Sequence, residues 1–168
     1  MAHPMVEQLR FTRREFVRCL DGLRLQDAYV RHGQMNCISW TIGHLADHEN
    51  RIFVFLGQGK VIQPQLRKIC SFGCPPSTPK LDDMWAAWRE VTANADVFLD
   101  TLTTTKLVEH FQWKGQPLDE SIGSMLQRVI YHYWYHLGEA HAIRQMLGTR
   151  DLPQFVAPFG DDAVYTPH

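Results

Sequence analysis

Between Tyr131 and Leu147 the chain reads YHYWYHLGEAHAIRQML, and the direction of its three histidines decides how the fold and its chemistry are read. At about 100 degrees per residue, Ile122, Leu126, Val129, Tyr133, Ala140, Ile143 and Leu147 fall on one side of a helix. His136 lies inside that apolar stripe, His132 lies at its edge one turn earlier, and His141 points well away. An unpaired buried polar group costs roughly 1–3 kcal/mol, so two imidazoles facing a core require partners. A shared metal ion satisfies both rings; hydrogen bonds to carbonyls are the plainer alternative. HYWYH lacks the glutamate of HExxH, which excludes the zincin arrangement.

Working outward, apolar residues recur at three- and four-residue steps along nearly the whole chain, which predicts an all-α fold. The first helix is expected from Pro4 to Leu20, closed by Asp21-Gly22. Asn36 or Ser39 can cap a second helix that runs to Leu56, after which a Pro-, Gly- and Ser-rich loop extends to Pro79. Leu81, Met84, Trp85, Trp88, Val91, Ala95, Phe98, Leu99 and Leu102 define the third helix. Gly115-Gln116-Pro117 reads as a turn within a short extended hairpin, and Asp119 or Ser121 can cap the fourth helix, which stops before Gly148. The tail DLPQFVAPFGDDAVYTPH is expected to pack as irregular chain. Four apolar stripes joined by some long connections make a four-helix bundle the natural architecture, with residues 1–168 as a single domain.

Seventeen basic and 18 acidic side chains nearly cancel in 168 residues, which argues against nucleic acid or an anionic membrane as partner. No apolar run approaches the roughly 20 residues of a membrane span, and MAHPMVEQLR lacks the order of a secretory signal. The expected location is the cytoplasm, where the four cysteines remain reduced. Cys70 and Cys74 form a CxxxC, but no second cysteine pair completes a zinc site, so both read as loop residues. Cys19 and Cys37 read as small hydrophobes.

A third imidazole has to come from another helix, and TIGHLADHENR in the second one offers His44 and His48. Ile38, Ile42, Leu45, Ile52, Phe53 and Leu56 mark its core face; the angular count places His48 slightly nearer to it than His44. Glu49 falls near the middle of the apolar stripe, where an ionised carboxylate needs a cation, a metal or a donor. It either receives an imidazole N–H behind a metal or pairs with an arginine such as Arg144. A haem held between facing HxxxH pairs is a further possibility.

ISWTIGHLADHENRIF in the second helix, YHYWYHLGEAHAIRQMLG in the fourth and DLPQFVAPFG after it together resemble the DinB/YfiT-like metalloenzymes. The resemblance implies an up-down-down-up four-helix bundle, often a homodimer, holding one divalent metal through three histidines. Residue by residue, it assigns those ligands to His44, His132 and His136 and gives His48 no counterpart. Glu139 stands where many relatives carry Gln, in HLGE rather than HxGQ. Relatives with known activity use such a site for S-transfer or isomerisation with low-molecular-weight thiols.

Three neutral imidazoles leave an ion with its full charge and an open position, the arrangement of a catalytic site. Such ligands suit Zn or Ni, and also Fe or Mn. The expected function is therefore metal-dependent thiol transfer to a small-molecule substrate, with Glu49, Arg51, Glu139 and Arg144 as candidate supporting or substrate contacts. The alternative is a non-catalytic dimeric bundle that binds a metal or small ligand in sensing or stress response. Trp85, Trp88, Tyr133, Trp134 and Tyr135 could then line a pocket, although their spacing suits a core.

Overall fold

The structure, a computed structural model, describes residues 2–156 and 160; the part of the predicted irregular tail beyond them lies outside the described residues. Helix α1, Pro4–Cys19, begins with proline at its first turn, where the missing N–H would have no intrahelical partner. His3 Nδ1 accepts from the Met5 amide at 3.2 Å and completes the cap. Val6, Leu9, Phe16 and Cys19 form its buried stripe. After Leu20 the chain turns through Gly22, whose φ of 66° suits a residue without Cβ.

Helix α2, Ile38–Glu49, starts at Cys37, whose side chain does not cap it. Neither predicted cap is used: Ser39 Oγ instead donates to the Pro79 carbonyl at 2.8 Å, tying α2 to the end of the long loop. The helix continues directly into a π-helix, Asn50–Leu56, so the predicted second helix is continuous but changes pitch. The wider turn buries Ile52, Phe53 and Val54 together. The loop to Pro79 contains a short helix, α3, Leu66–Ile69. Helix α4, Leu81–Leu99, follows, with Leu102 buried just after it.

A further short helix, α5, Thr104–Leu107, leads into an antiparallel hairpin of β1, His110–Trp113, and β2, Gln116–Ser121. The chain is thus mostly helical, with the short hairpin expected from the sequence present as a small two-stranded sheet. Its turn falls on Lys114 and Gly115, with φ of 51° and 79°, which matches the right-handed twist of paired strands. Ser121 then caps α6, Ile122–Met146, by accepting from the Ser124 amide at 3.1 Å. Gly148, at φ 77°, ends that helix as its sequence predicted.

The four long helical segments supply the core. α1 packs on α6, and α2 packs on both α4 and α6. Among the described residues, no helix is long and apolar enough to cross a membrane.

One polar group lies at the centre of these contacts. Glu49 is fully buried; Arg13 Nε reaches its Oε1 at 2.9 Å, and Arg13 Nη2 pairs with its Oε2. Tyr133 donates its hydroxyl to Oε1 at 2.7 Å, and Trp88 Nε1 donates to that hydroxyl at 2.7 Å. Arg13 Nη1 also reaches Asp96 at 2.8 Å. Burial opposes the charge on Arg13, but the Glu49 carboxylate outweighs it and raises the guanidinium above its ordinary pKa. Burial likewise pushes the Tyr133 hydroxyl well up, and Glu49 pushes it further.

The arginine that neutralises Glu49 is therefore Arg13 rather than Arg144. Removing one partner of a buried ion pair strands the other charge, at a cost of about 3–5 kcal/mol. Arg13→Leu is expected to lower unfolding stability by that amount in urea titrations. The double variant Arg13→Leu, Glu49→Leu should recover part of the loss.

Candidate metal centre

Gly43 makes the site geometrically possible. A Cβ at this position would overlap Met84 Sδ and lie 2.7 Å from Cys70 Sγ, so glycine allows the loop after α3 to approach α2. That approach places the Cys70 carbonyl 2.7 Å from Nδ1 of the next residue, His44. A carbonyl only accepts, so Nδ1 carries the proton and Nε2 presents its lone pair. Trp40, one turn earlier on α2, stacks on the His44 ring with centroids 4.5 Å apart and fixes its plane.

On α6, His132 and His136 lie one turn apart and face the same way. His136 Nδ1 donates to Glu139 Oε2 at 2.6 Å, which again leaves Nε2 as the free nitrogen. His44 Nε2 and His132 Nε2 are 3.1 Å apart, and His136 Nε2 and His132 Nε2 are 2.9 Å apart. One nitrogen from each of the three rings lies within 4.8 Å of the others, an arrangement that could hold a metal ion. Spacing this close leaves no room for a porphyrin between the rings.

His48 does not join this set; it lies behind it. Its Nδ1 is 2.8 Å from His132 Nδ1, and Arg128 Nη1 donates to its Nε2 at 3.0 Å. Arg128 is itself held by Glu120, at 3.0 Å and 2.6 Å. Because arginine only donates, the proton of neutral His48 sits on Nδ1 and is given to His132 Nδ1. The His132 proton is then on Nε2, shared between the lone pairs of His44 and His136. For His132 Nε2 to offer its lone pair as well, its proton must move to Nδ1, with His48 Nδ1 as the acceptor. The angular count had placed His48 nearer the core face than His44; the carbonyl of Cys70 and the ring of Trp40 turn His44 inward instead.

Protonation of His44, His48 and His132 is disfavoured. Burial, reinforced by the neighbouring imidazoles, pushes His132 down to about 2. Burial and the Arg128 guanidinium push His48 down to about 3. Burial also lowers His44, partly offset by its bond to the Cys70 carbonyl. Glu139 is held below its usual carboxylate value by the hydrogen bond from His136, against the opposing effect of burial.

The remaining sequence candidates lie elsewhere. Glu49 is engaged by Arg13 and Tyr133 and receives no imidazole N–H. Arg144 donates to the Cys19 carbonyl at 2.5 Å. Arg51 lines a surface cavity beside α2. The His141 ring packs edge-on against Phe155. Cys70 and Cys74 are free thiols that point to different partners, Met84 Sδ and the Arg67 carbonyl. Burial pushes the Cys70 thiol up to about 12. Trp88 and Tyr133 are buried in the core. Contributors that escaped sequence reasoning include Trp40 and Arg128; Arg13, although its spacing from Leu9 and Phe16 places it on the buried stripe of α1; and the Cys70 carbonyl, which no side-chain pattern can reveal.

A mostly helical fold with three imidazole nitrogens converging between α2 and α6 defines the class of protein. A family model described as the DinB superfamily matches residues 8–140, and the chain belongs to that superfamily. A search among curated proteins finds no match.

The unfolded chain takes up protons on His48 and His132 near their ordinary value of 6.5, whereas the folded chain resists doing so down to about 3 and about 2. Both residues therefore stabilise the fold above about pH 6.5, and that contribution is lost as pH falls below it. Metal-free protein is expected to show a lower urea midpoint near pH 5 than near pH 7. Separately, Glu139→Gln keeps a hydrogen-bond acceptor but removes the charge behind His136. It should weaken divalent-metal affinity by about tenfold in competition titrations with a chromophoric chelator.

Proposed function

We propose that the chain is a divalent-metal-dependent enzyme that transfers a low-molecular-weight thiol to a small electrophilic substrate, with the ion held by His44, His132 and His136. The observation that carries this reading is the convergence of three imidazoles whose outer nitrogens are capped by a carbonyl, a carboxylate and another imidazole. That donor set suits Zn or Ni, and also Fe or Mn, and leaves coordination positions open. When bound, such an ion supplies a Lewis-acid centre that holds a thiol as thiolate at neutral pH.

The chain's own residues do the rest. Trp40 and the Cys70 carbonyl hold the His44 ring, while Glu139 orients His136 and strengthens it as a donor. Glu139 also accepts from the Tyr135 hydroxyl. His48 holds His132 in register through their paired Nδ1 atoms. The thiol proton would pass to solvent, the sulfur would bond to the electrophilic carbon, and the displaced group would leave with the bonding electrons. Within the same reading the four long helical segments form an up-down-down-up bundle in a single domain, and the protein works as a cytoplasmic homodimer.

Elemental analysis of untagged protein tests the site. About one divalent ion per chain is expected, with loss of at least tenfold in affinity when His44, His132 or His136 is changed to Ala, and retention in His48→Ala. Full occupancy in His136→Ala would remove the assignment. Metal-loaded protein incubated with small thiols and activated electrophiles should form thioether product faster than the His136→Ala variant. A loaded protein that conjugates none of them, and whose ion shows no exchangeable water after cobalt substitution, would instead favour a non-catalytic binding role.

A further inference from the structure

His44, His48, Arg51 and Phe55 follow one another at three- and four-residue steps along α2 and its π-helical extension, so the strip that carries the imidazoles continues toward the hairpin. There it opens into a cavity of about 510 Å³, lined in part by Asp47, Arg51, Phe55, Lys60, Arg67 and Trp113. This volume is within the roughly 300–1,000 Å³ of small-molecule sites. Its lining combines three cations with a single carboxylate. Asp47 is buried and already accepts from Ser71 Oγ at 2.6 Å. Among the described residues, Arg51, Lys60 and Arg67 make no ion pair or side-chain hydrogen bond. Trp113 packs edge-on against Phe55 with centroids 5.5 Å apart, yet it stays 46% exposed. A half-exposed tryptophan braced by a second ring, with Lys114 Nζ 6.0 Å from its ring centroid, forms a largely apolar wall.

We propose that this cavity binds a small organic anion, its carboxylate, sulfonate or phosphate headgroup taken by Arg51, Lys60 and Arg67 and its flat or aliphatic body laid against Trp113 and Phe55. The three side chains bring positive charge to a cavity whose lining is mostly apolar, which selects against a bare inorganic anion and against a neutral hydrophobe. Arg51 lies three residues after His48, in the π-helical continuation of α2, so an anion held there lies on the same strip as the imidazoles. Binding in this cavity does not depend on whether the histidines hold a metal.

The probe is anilinonaphthalene sulfonate, compared with its neutral parent phenylnaphthylamine, titrated by fluorescence into the full chain. One saturable site is expected, with the anion bound at least about tenfold tighter than the neutral parent and its affinity falling as salt is raised. Arg51→Gln with Lys60→Gln should weaken the anion about tenfold and flatten the salt dependence. Trp113→Ala should weaken both dyes. Arg14→Gln, which removes an exposed cation lining a different cavity, should leave binding unchanged. Circular dichroism and the urea midpoint confirm that each variant folds. Protein stripped with chelator should bind the anion as well as metal-loaded protein does, which separates this result from the fate of the metal site. Equal affinity for the two dyes, or a change of less than about twofold when both charges are removed, would overturn the assignment.

Discussion

Everything about this molecule turns around a carboxylate that water does not reach. Glu49 on α2 is neutralised by Arg13 on α1 and by the hydroxyl of Tyr133 on α6, which is tied in turn to Trp88 on α4. All four long helical segments therefore meet at one polar network. An isolated buried charge is so unfavourable that the partners must be present together and in register. Apolar stripes permit many small rotations and slides of helix on helix. A directional network of this kind selects among them.

That selection reaches the histidines through the covalent chain. His48 precedes Glu49, and His132 precedes Tyr133, so the bonds that lock Glu49 to Tyr133 also set the rotation of α2 and α6. Once both helices are set, His44 and His48 on one face His132 and His136 on the other. The imidazole cluster and the ion-pair network are two consequences of one helix register, one facing the cavity side of the bundle and the other its core. The π-helical stretch that follows Glu49 carries the same strip onward past Arg51 to Phe55.

The four imidazoles also illustrate how hydrogen-bond donors set chemical role. Two outer nitrogens are capped by groups that only accept, the Cys70 carbonyl and the Glu139 carboxylate, which fixes where their protons sit. The third is backed by His48, whose own tautomer is dictated by Arg128. Glu139 gives His136 a charged acceptor, which strengthens the ring as a donor toward a cation. Arg144 and Glu49, although buried, have no part in this: Arg144 meets the Cys19 carbonyl on α1, and Glu49 meets Arg13 on α1 and Tyr133 on α6.

From its residues alone the chain determined the four long helical segments and most of their ends, because periodic apolar side chains, Ser121 and Gly148 act locally. It also determined that His132 and His136 share a face, since that follows from helical pitch. The hairpin was legible in outline, though its turn sits one residue earlier, on Lys114 and Gly115. What local pattern could not decide was which distant groups meet. The choice between His44 and His48 turned on a backbone carbonyl admitted by Gly43, and the choice of Arg13 over Arg144 turned on which helix packs against Glu49. These are contacts between residues 26 and 36 positions apart or more, and only the packed chain brings them within hydrogen-bond reach.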